Sequence, residues 1–239
     1  MTKLLKEIRN SWFGVFVVLC GMIGVWICVY SITTVYVERY VAKEQVVYNV
    51  LIEGVKHSEY RAVKWIGSGV IINSDGLILT AGHCVKDADY IKVTLNDGRS
   101  FKVTSYYESQ TSDVGLIKID ANDLPAVEFG DSDDLKKGMH VYNIGASEGI
   151  WDNDIIHGKV WKNDFKRLAF NKILEVDTEY IFCNYGAYPG DSGGGLYYKN
   201  LMVGIVAMGG DGLSWSVPTI EINKVLRKYG KQKMLISLD

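Results

Sequence analysis

From Trp12 to Val37 the chain carries no charged residue, a run of 26 positions that begins WFGVFVVLCGMIGVWICVY and softens to SITTVYV. As a helix rising about 1.5 Å per residue it would span roughly 39 Å, against a bilayer hydrocarbon core of roughly 30 Å. One crossing with some tilt is expected. A secretory signal core usually runs about 7–15 residues and ends at a small-residue cleavage site. This run is longer, and Ser31-Ile32-Thr33-Thr34 is a poor cleavage site, so it reads as an uncleaved signal anchor. Lys3, Lys6 and Arg9 precede it with only Glu7 opposing, whereas Glu38, Arg39, Lys43 and Glu44 cancel after it. The positive-inside rule then keeps the N-terminus cytoplasmic and places the rest of the chain on the extracytoplasmic side. Tyr30, Tyr36 and Tyr40 suit the interfacial aromatic belt.

The expected organisation is a cytoplasmic tail at 1–11, a transmembrane signal anchor at 12–37, a juxtamembrane segment at 38–55 and an outer domain at 56–239. Cys20, Gly24 and Cys28 repeat at four-residue intervals in the span, a small-residue stripe through which two helices could approach. With 26 basic against 28 acidic residues the net charge is -2, which leaves no electrostatic footprint for nucleic acid. The 25 Gly and 3 Pro suit neither a collagen-like nor a disordered chain.

Beyond residue 55 the pattern changes to short apolar runs bounded by turn residues. Gly69–Ile72 and Leu77–Thr80 flank Asn73-Ser74-Asp75-Gly76 and read as a hairpin. Tyr90–Leu95 turns at Asn96-Asp97-Gly98 and resumes at Phe101–Val103. Further strands are expected at Val114–Ile119, Val141–Ile144, Ile155–Trp161, Lys172–Val176, Gly195–Tyr198 and Met202–Met208. Many short strands with Gly and Asn-Asp turns indicate an antiparallel β protein of sandwich or barrel type. Only the end differs. Thr219 can cap a helix with Ile222, Val225, Leu226 and Tyr229 on one face and Gly230 as its stop.

Three segments carry chemistry: Thr80-Ala81-Gly82-His83-Cys84, Thr111-Ser112-Asp113-Val114-Gly115-Leu116 and Pro189-Gly190-Asp191-Ser192-Gly193-Gly194. A serine hydroxyl is a poor nucleophile at neutral pH unless a base takes its proton, and histidine has the pKa for that work. The histidine needs a carboxylate to fix its tautomer and stabilise the imidazolium. Ser192, His83 and Asp113 fill these three catalytic roles. An acyl-transfer intermediate puts negative charge on the former carbonyl oxygen, best held by backbone N–H groups, and we assign that oxyanion hole to the amides of Gly190 and Ser192.

These segments, in His–Asp–Ser order with TAGHC, SDVGLIKI and GDSGGG, resemble the chymotrypsin-fold (trypsin-like) serine proteases. From about Gly67 to Leu226 the chain is most similar to the protease domain of their HtrA (Deg) branch, through GSGVIINSDGLILTAGHCV, IKVTLNDGRSFKV, DLPAVEFGDSDDLKKGMHVYNIG and WSVPTIEINKVL. The spacings of 30 residues from His83 to Asp113 and 79 from Asp113 to Ser192 also fit that branch. The resemblance implies a mainly β fold of two packed antiparallel six-stranded barrels with a C-terminal helix, the active site lying between them. His83 and Asp113 would come from the first barrel and Ser192 from the second. It implies a membrane-anchored serine endopeptidase that cuts protein or peptide substrates through an acyl-enzyme, and no cofactor or metal.

Departures from the family also set expectations. HtrA proteins usually carry Asn before the serine and a C-terminal PDZ domain. Here Asp191 stands before Ser192, and the chain runs on only 47 residues past it, too few for a PDZ domain. Trypsin-like zymogens pair that Asp with a newly released N-terminus, but no activation site precedes Gly67, so the partner of Asp191 is open. By the resemblance Gly186 is the floor of the substrate pocket and Ala187, Tyr188, Met208, Gly209 and Ser214 are candidate walls. With no carboxylate at the floor, cleavage after small or medium apolar residues is expected.

The remaining partners are the lipid bilayer through residues 12–37 and a homo-oligomer, trimeric by the resemblance or dimeric through the helix stripe. No Cys-x-x-Cys pair is present, which argues against a metal site, and a Cys84–Cys183 disulfide is left open. His57, His140 and His157 have no motif around them, and Asp131, Asp133 and Asp134 read as a solvated turn. Two other classes compete with the enzyme: a catalytically silent protease-fold module that binds peptides at the membrane, and a membrane organiser with the outer domain as a spacer.

Overall fold

The computed structural model describes residues 44–149, 154–165, 179–210, 212–232 and 236–237. The membrane span expected at 12–37 and the strand expected at 172–176 lie outside them. Among the described residues no helix is long and apolar enough to cross a membrane.

Strands β1 (Asn49–His57), β2 (Ala62–Asn73), β3 (Leu77–Thr80), β4 (Tyr90–Leu95), β5 (Ser100–Lys102), β6 (Ser105–Glu108) and β7 (Gly115–Lys118) form the first half. β8 (His140–Gly145), β9 (Asp154–Phe165), β10 (Tyr180–Cys183), β11 (Gly195–Tyr198), β12 (Leu201–Gly210) and β13 (Leu213–Pro218) form the second. A helix, α1 (Thr219–Gln232), and a two-residue strand, β14 (Ile236–Ser237), follow. Every strand pairing is antiparallel.

The second half closes into a six-stranded barrel in the order β10-β13-β12-β11-β8-β9, as expected. The first half keeps to the expected chymotrypsin-like two-barrel fold but not to six strands: eight pair in the order β14-β6-β7-β3-β2-β1-β4-β5. One of the two additional strands lies at its edge, where the chain returns after α1 and lays Ile236 and Ser237 beside Tyr106 and Ser105 of β6. An unpaired strand edge presents free N–H and C=O groups, which this short strand satisfies. The first strand also starts earlier than expected. Asn49–His57 falls largely within the segment read as juxtamembrane and pairs with both β2 and β4.

Alternation builds two separate cores. Val50 and Ile52 of β1, Ile91, Val93 and Leu95 of β4, Ile78 of β3 and Ile117 of β7 point into the first. Val141, Val160, Ile181, Leu196 and Val203 fill the second. Each such side chain, fully buried, contributes roughly 1.5–3 kcal/mol relative to leaving it in water.

α1 shows the expected apolar face, with Ile222 and Val225 buried and the Tyr229 ring 5.8 Å from that of Tyr107. Its start departs from expectation. The Thr219 hydroxyl donates to Gly130 O at 2.8 Å and accepts from Ser132 N at 3.1 Å, so it serves the preceding turn. Ser132 supplies the cap instead, its Oγ accepting from Ile220 N at 3.3 Å. Gly230 does not stop the helix, which continues to Gln232. The expected acidic turn is a 3-10 turn over Ser132–Asp134, opened by Asp131, whose carboxylate accepts from Asp133 N.

Candidate active site

Strand β3 delivers the histidine. It ends at Thr80, and a 3-10 turn over Gly82–Cys84 follows, closed by Cys84 N donating to Ala81 O at 3.0 Å. Trp65 of β2 braces this turn by donating its indole N–H to Cys84 O at 2.9 Å. The indole lies across Gly54 of β1, where any Cβ would overlap the ring. One glycine therefore makes room for the brace.

Asp113 lies in the loop between β6 and β7, among the Ser109, Thr111 and Ser112 hydroxyls, which contact one another at 3.2–3.3 Å. Its carboxylate is almost wholly buried and grips the histidine twice. Oδ1 accepts from His83 N at 2.9 Å and Oδ2 lies 2.8 Å from His83 Nδ1. Burial by itself pulls the imidazole pKa down. The hydrogen bonds to Asp113 and Cys84, together with the Asp113 charge, outweigh it and hold His83 up at about 11.

Ser192 is delivered by the tight turn between β10 and β11. Gly193 N donates to Val206 O at 2.7 Å and Val206 N donates to Gly194 O at 2.8 Å, which fastens the turn to β12. Gly193 has φ +88°, and a Cβ there would overlap the Ser68 carbonyl and the Thr80 hydroxyl, so the two halves touch at a point only glycine can occupy. β12 shifts register against β13 between Val206 and Met208. The residue at that irregularity, Ala207, turns its carbonyl toward Ser192, whose Oγ donates to it at 3.4 Å. The structure thus brings His83 and Asp113 into direct contact and holds the Ser192 hydroxyl on the Ala207 carbonyl. Among the described residues, neither the Gly190 nor the Ser192 N–H donates to a protein acceptor.

Asp191, whose partner the sequence left open, is fully buried. Its Oδ1 accepts from Ser147 Oγ at 2.7 Å and its Oδ2 from Tyr188 N at 2.8 Å. Gly145 of β8 makes room, since a Cβ there would overlap the carboxylate. Ser147 and Gly145 carried no sequence signal for the role.

Ala187 packs directly on Gly209, and a Cβ on Gly186 would lie 3.6 Å from the Tyr188 hydroxyl and 3.4 Å from Gly210 O. Gly186, Ala187, Tyr188 and Gly209 therefore cluster, with Met208 adjoining on β12. Ser214 stands directly opposite Gly209 in the β12–β13 register. It is fully buried, and its hydroxyl and that of Ser216 face the Tyr185 phenol without good hydrogen-bond geometry, while burial pushes that phenol up. The separate groove of about 440 Å³ formed by Glu53, Lys64, Trp65, Tyr90 and Lys92 contains none of the residues of either site. Cys84 and Cys183 are both buried free thiols, so the disulfide left open does not form.

Residues 67–205 match the model of the trypsin-like peptidase domain. A probable periplasmic serine endoprotease, DegP-like, from Halomonas elongata is 38% identical over 171 residues, covering 68% of this chain and 34% of the relative. The protein of the same description from Pseudomonas putida strain F1 is 36% identical over 183 residues, covering 72% and 37%. The chain thus spans about a third of the length of these curated relatives. Among solved structures, the HtrA-type protease AlgW with a tripeptide superposes with a TM-score of 0.69 at 24% identity, covering 79% of this chain and 62% of that one, a likeness of fold. With its family model matching more than half of its length, the chain belongs to the trypsin-like peptidase domain family.

Proposed function

We propose that this chain is a membrane-anchored serine endopeptidase of the HtrA type. In this reading His83 takes the proton from Ser192 Oγ as that oxygen attacks a peptide carbonyl. Asp113 holds the imidazole through Nδ1 and stabilises the imidazolium, and the Gly190 and Ser192 amides receive the oxyanion. His83 then protonates the leaving amine, and water repeats the sequence on the acyl-enzyme. The observation that carries the reading is the His83–Asp113 contact of 2.8 Å beside a serine turn whose two candidate oxyanion amides are unspent.

Proteins or peptides are the substrates. A tripeptide accompanies AlgW in its structure, and the close fit of Ala187 to Gly209 supports a shallow pocket for small or medium apolar side chains. The uncharged run at 12–37 anchors the chain, with the protease domain at 56–239 on the extracytoplasmic side, in keeping with relatives described as periplasmic. A homo-oligomer belongs to the same reading, a trimer by the resemblance or a dimer through the Cys20, Gly24 and Cys28 stripe.

A fluorophosphonate probe tests the chemistry. The full chain in mild detergent should be labelled at Ser192, while Ser192→Ala and His83→Ala should not. Labelling that survives Ser192→Ala, or none in the parent at any pH, would reject the active triad in favour of a silent peptide-binding module.

A further inference from the structure

No motif of the sequence singles out Ser68. It lies in β2, fully buried, and its polar atoms reach toward the serine turn. Its N–H donates to Ser192 O at 2.7 Å. Its carbonyl accepts from Thr80 Oγ1 at 2.7 Å, three residues before His83. Its own Oγ accepts from Ala146 N at 2.8 Å and donates to Gly190 O at 2.7 Å. A hydroxyl has one hydrogen to give, so both of its roles are assigned. The relay from Ala146 N–H through the Ser68 hydroxyl to the Gly190 carbonyl polarises along its length.

Four successive carbonyls of the serine turn are thereby anchored. Pro189 O accepts from Glu148 N at 2.7 Å, Gly190 O from the Ser68 hydroxyl, Asp191 O from Gly194 N at 2.9 Å and Ser192 O from the Ser68 amide. A peptide unit is planar and trans, so an anchored carbonyl fixes the direction of the N–H that follows it. The Pro189 and Asp191 carbonyls orient the amides of Gly190 and Ser192, and the two Ser68 anchors hold the peptides that alternate with them. One residue of the first half thus supplies two of the four anchors of a turn in the second.

We propose that Ser68 is a positioning residue for the oxyanion hole, holding the Gly190 and Ser192 carbonyls so that the amides of the same two residues stay convergent. Its catalytic consequence rests on the protease reading above; its conformational consequence stands without it. Ser68 acts through the turn, not on the reacting atoms.

Ser68→Ala removes the hydroxyl relay and keeps the amide anchor. The test compares it with the parent and with Ser132→Ala, which loosens the start of α1 without touching the serine turn, all as full chains. Backbone hydrogen exchange across 187–194 is read by mass spectrometry, and fluorophosphonate labelling is resolved into its maximal rate and its half-saturation. Ser68→Ala should speed exchange in that window while leaving the two cores as protected as before. Its maximal labelling rate should fall about 10- to 100-fold, less than the roughly 10²–10³ lost with an oxyanion donor itself, with half-saturation held. Ser132→Ala should lower the melting temperature and leave both readouts unchanged.

Unchanged exchange at 187–194 in Ser68→Ala overturns the proposal. So does a labelling loss that Ser132→Ala reproduces at the same shift in melting temperature. Ser68→Cys keeps a weaker donor and carries the same comparison if the alanine variant does not fold; exchange and labelling between parent and alanine levels are expected, and parent-like values overturn it. If the parent itself is never labelled, the protease reading fails, and the exchange comparison alone still decides whether Ser68 orders the turn.

Discussion

At His83 burial and hydrogen bonding oppose each other, and hydrogen bonding wins. Burial favours the neutral ring, but the Asp113 carboxylate 2.8 Å from Nδ1 favours the imidazolium, and the pKa rises from 6.5 to about 11. A general base must be neutral to accept a proton, so the rising limb of the pH–rate profile should lie on the alkaline side of 6.5. Asp113→Asn should move that limb to lower pH, because the Asp113 hydrogen bond and charge that oppose burial are lost, and should cut the rate by about 10⁴-fold. Labelling rates across pH for parent and variant check both, and a parental limb at or below 6.5 would contradict the pair as described. Residue type marked His83, Asp113 and Ser192 as candidates in the sequence, and the structure brings the first two into contact. Ser68, Ala207, Ser147 and Gly145 were not legible. Each contributes a hydroxyl, a carbonyl or an absent Cβ, which any serine, alanine or glycine could offer until the fold brings it to the turn.

Among the elements, most apolar runs bounded by turn residues were readable as strands, whereas β10 and β13 were not. β4 came through with alternating burial, whereas β13 reads inversely. Its Ser214 and Ser216 point inward while Leu213 and Trp215 are only partly covered. A closed barrel leaves little room inside where strands cross, so small side chains face in and the usual periodicity is lost. β10 is buried along its whole length and shows no alternation at all. The start of α1 teaches the same lesson: a threonine in the right place serves another turn, and a serine 88 residues away caps the helix. Ser132→Ala should cost about 1 kcal/mol of stability, in the range of a lost cap. Chemical denaturation measures it, and a change within about 0.3 kcal/mol would show that the Ile220 amide finds another acceptor, since substituting Gly at a cap costs only a few tenths.

For the whole molecule, the His83–Asp113 contact links stability to pH. The folded chain holds the His83 proton up to about 11, whereas the unfolded chain releases it near 6.5. A raised folded pKa contributes stability that is fully present below the unfolded value and is lost as pH rises through the folded one. The melting temperature should therefore decline between 6.5 and about 11, and Asp113→Asn should flatten that decline. Thermal melts of both proteins across the window check it; equal slopes would show that other groups set the dependence. At this scale the sequence by itself determined the mainly β class, the two halves that carry His83 with Asp113 and Ser192, and the helix near the end. Local periodicity and residue chemistry suffice for these. Only the tertiary structure decided that the first half is an eight-stranded sheet completed by Ile236–Ser237, that Cys84 and Cys183 stay apart, that Asp191 is held by Ser147 and the Tyr188 amide, and that Ser68 ties one half to the other. The physical reason is distance along the chain. Hydrogen bonds act over about 3 Å in space, and Ser68 meets Gly190 across 122 residues of sequence that carry no mark of the meeting.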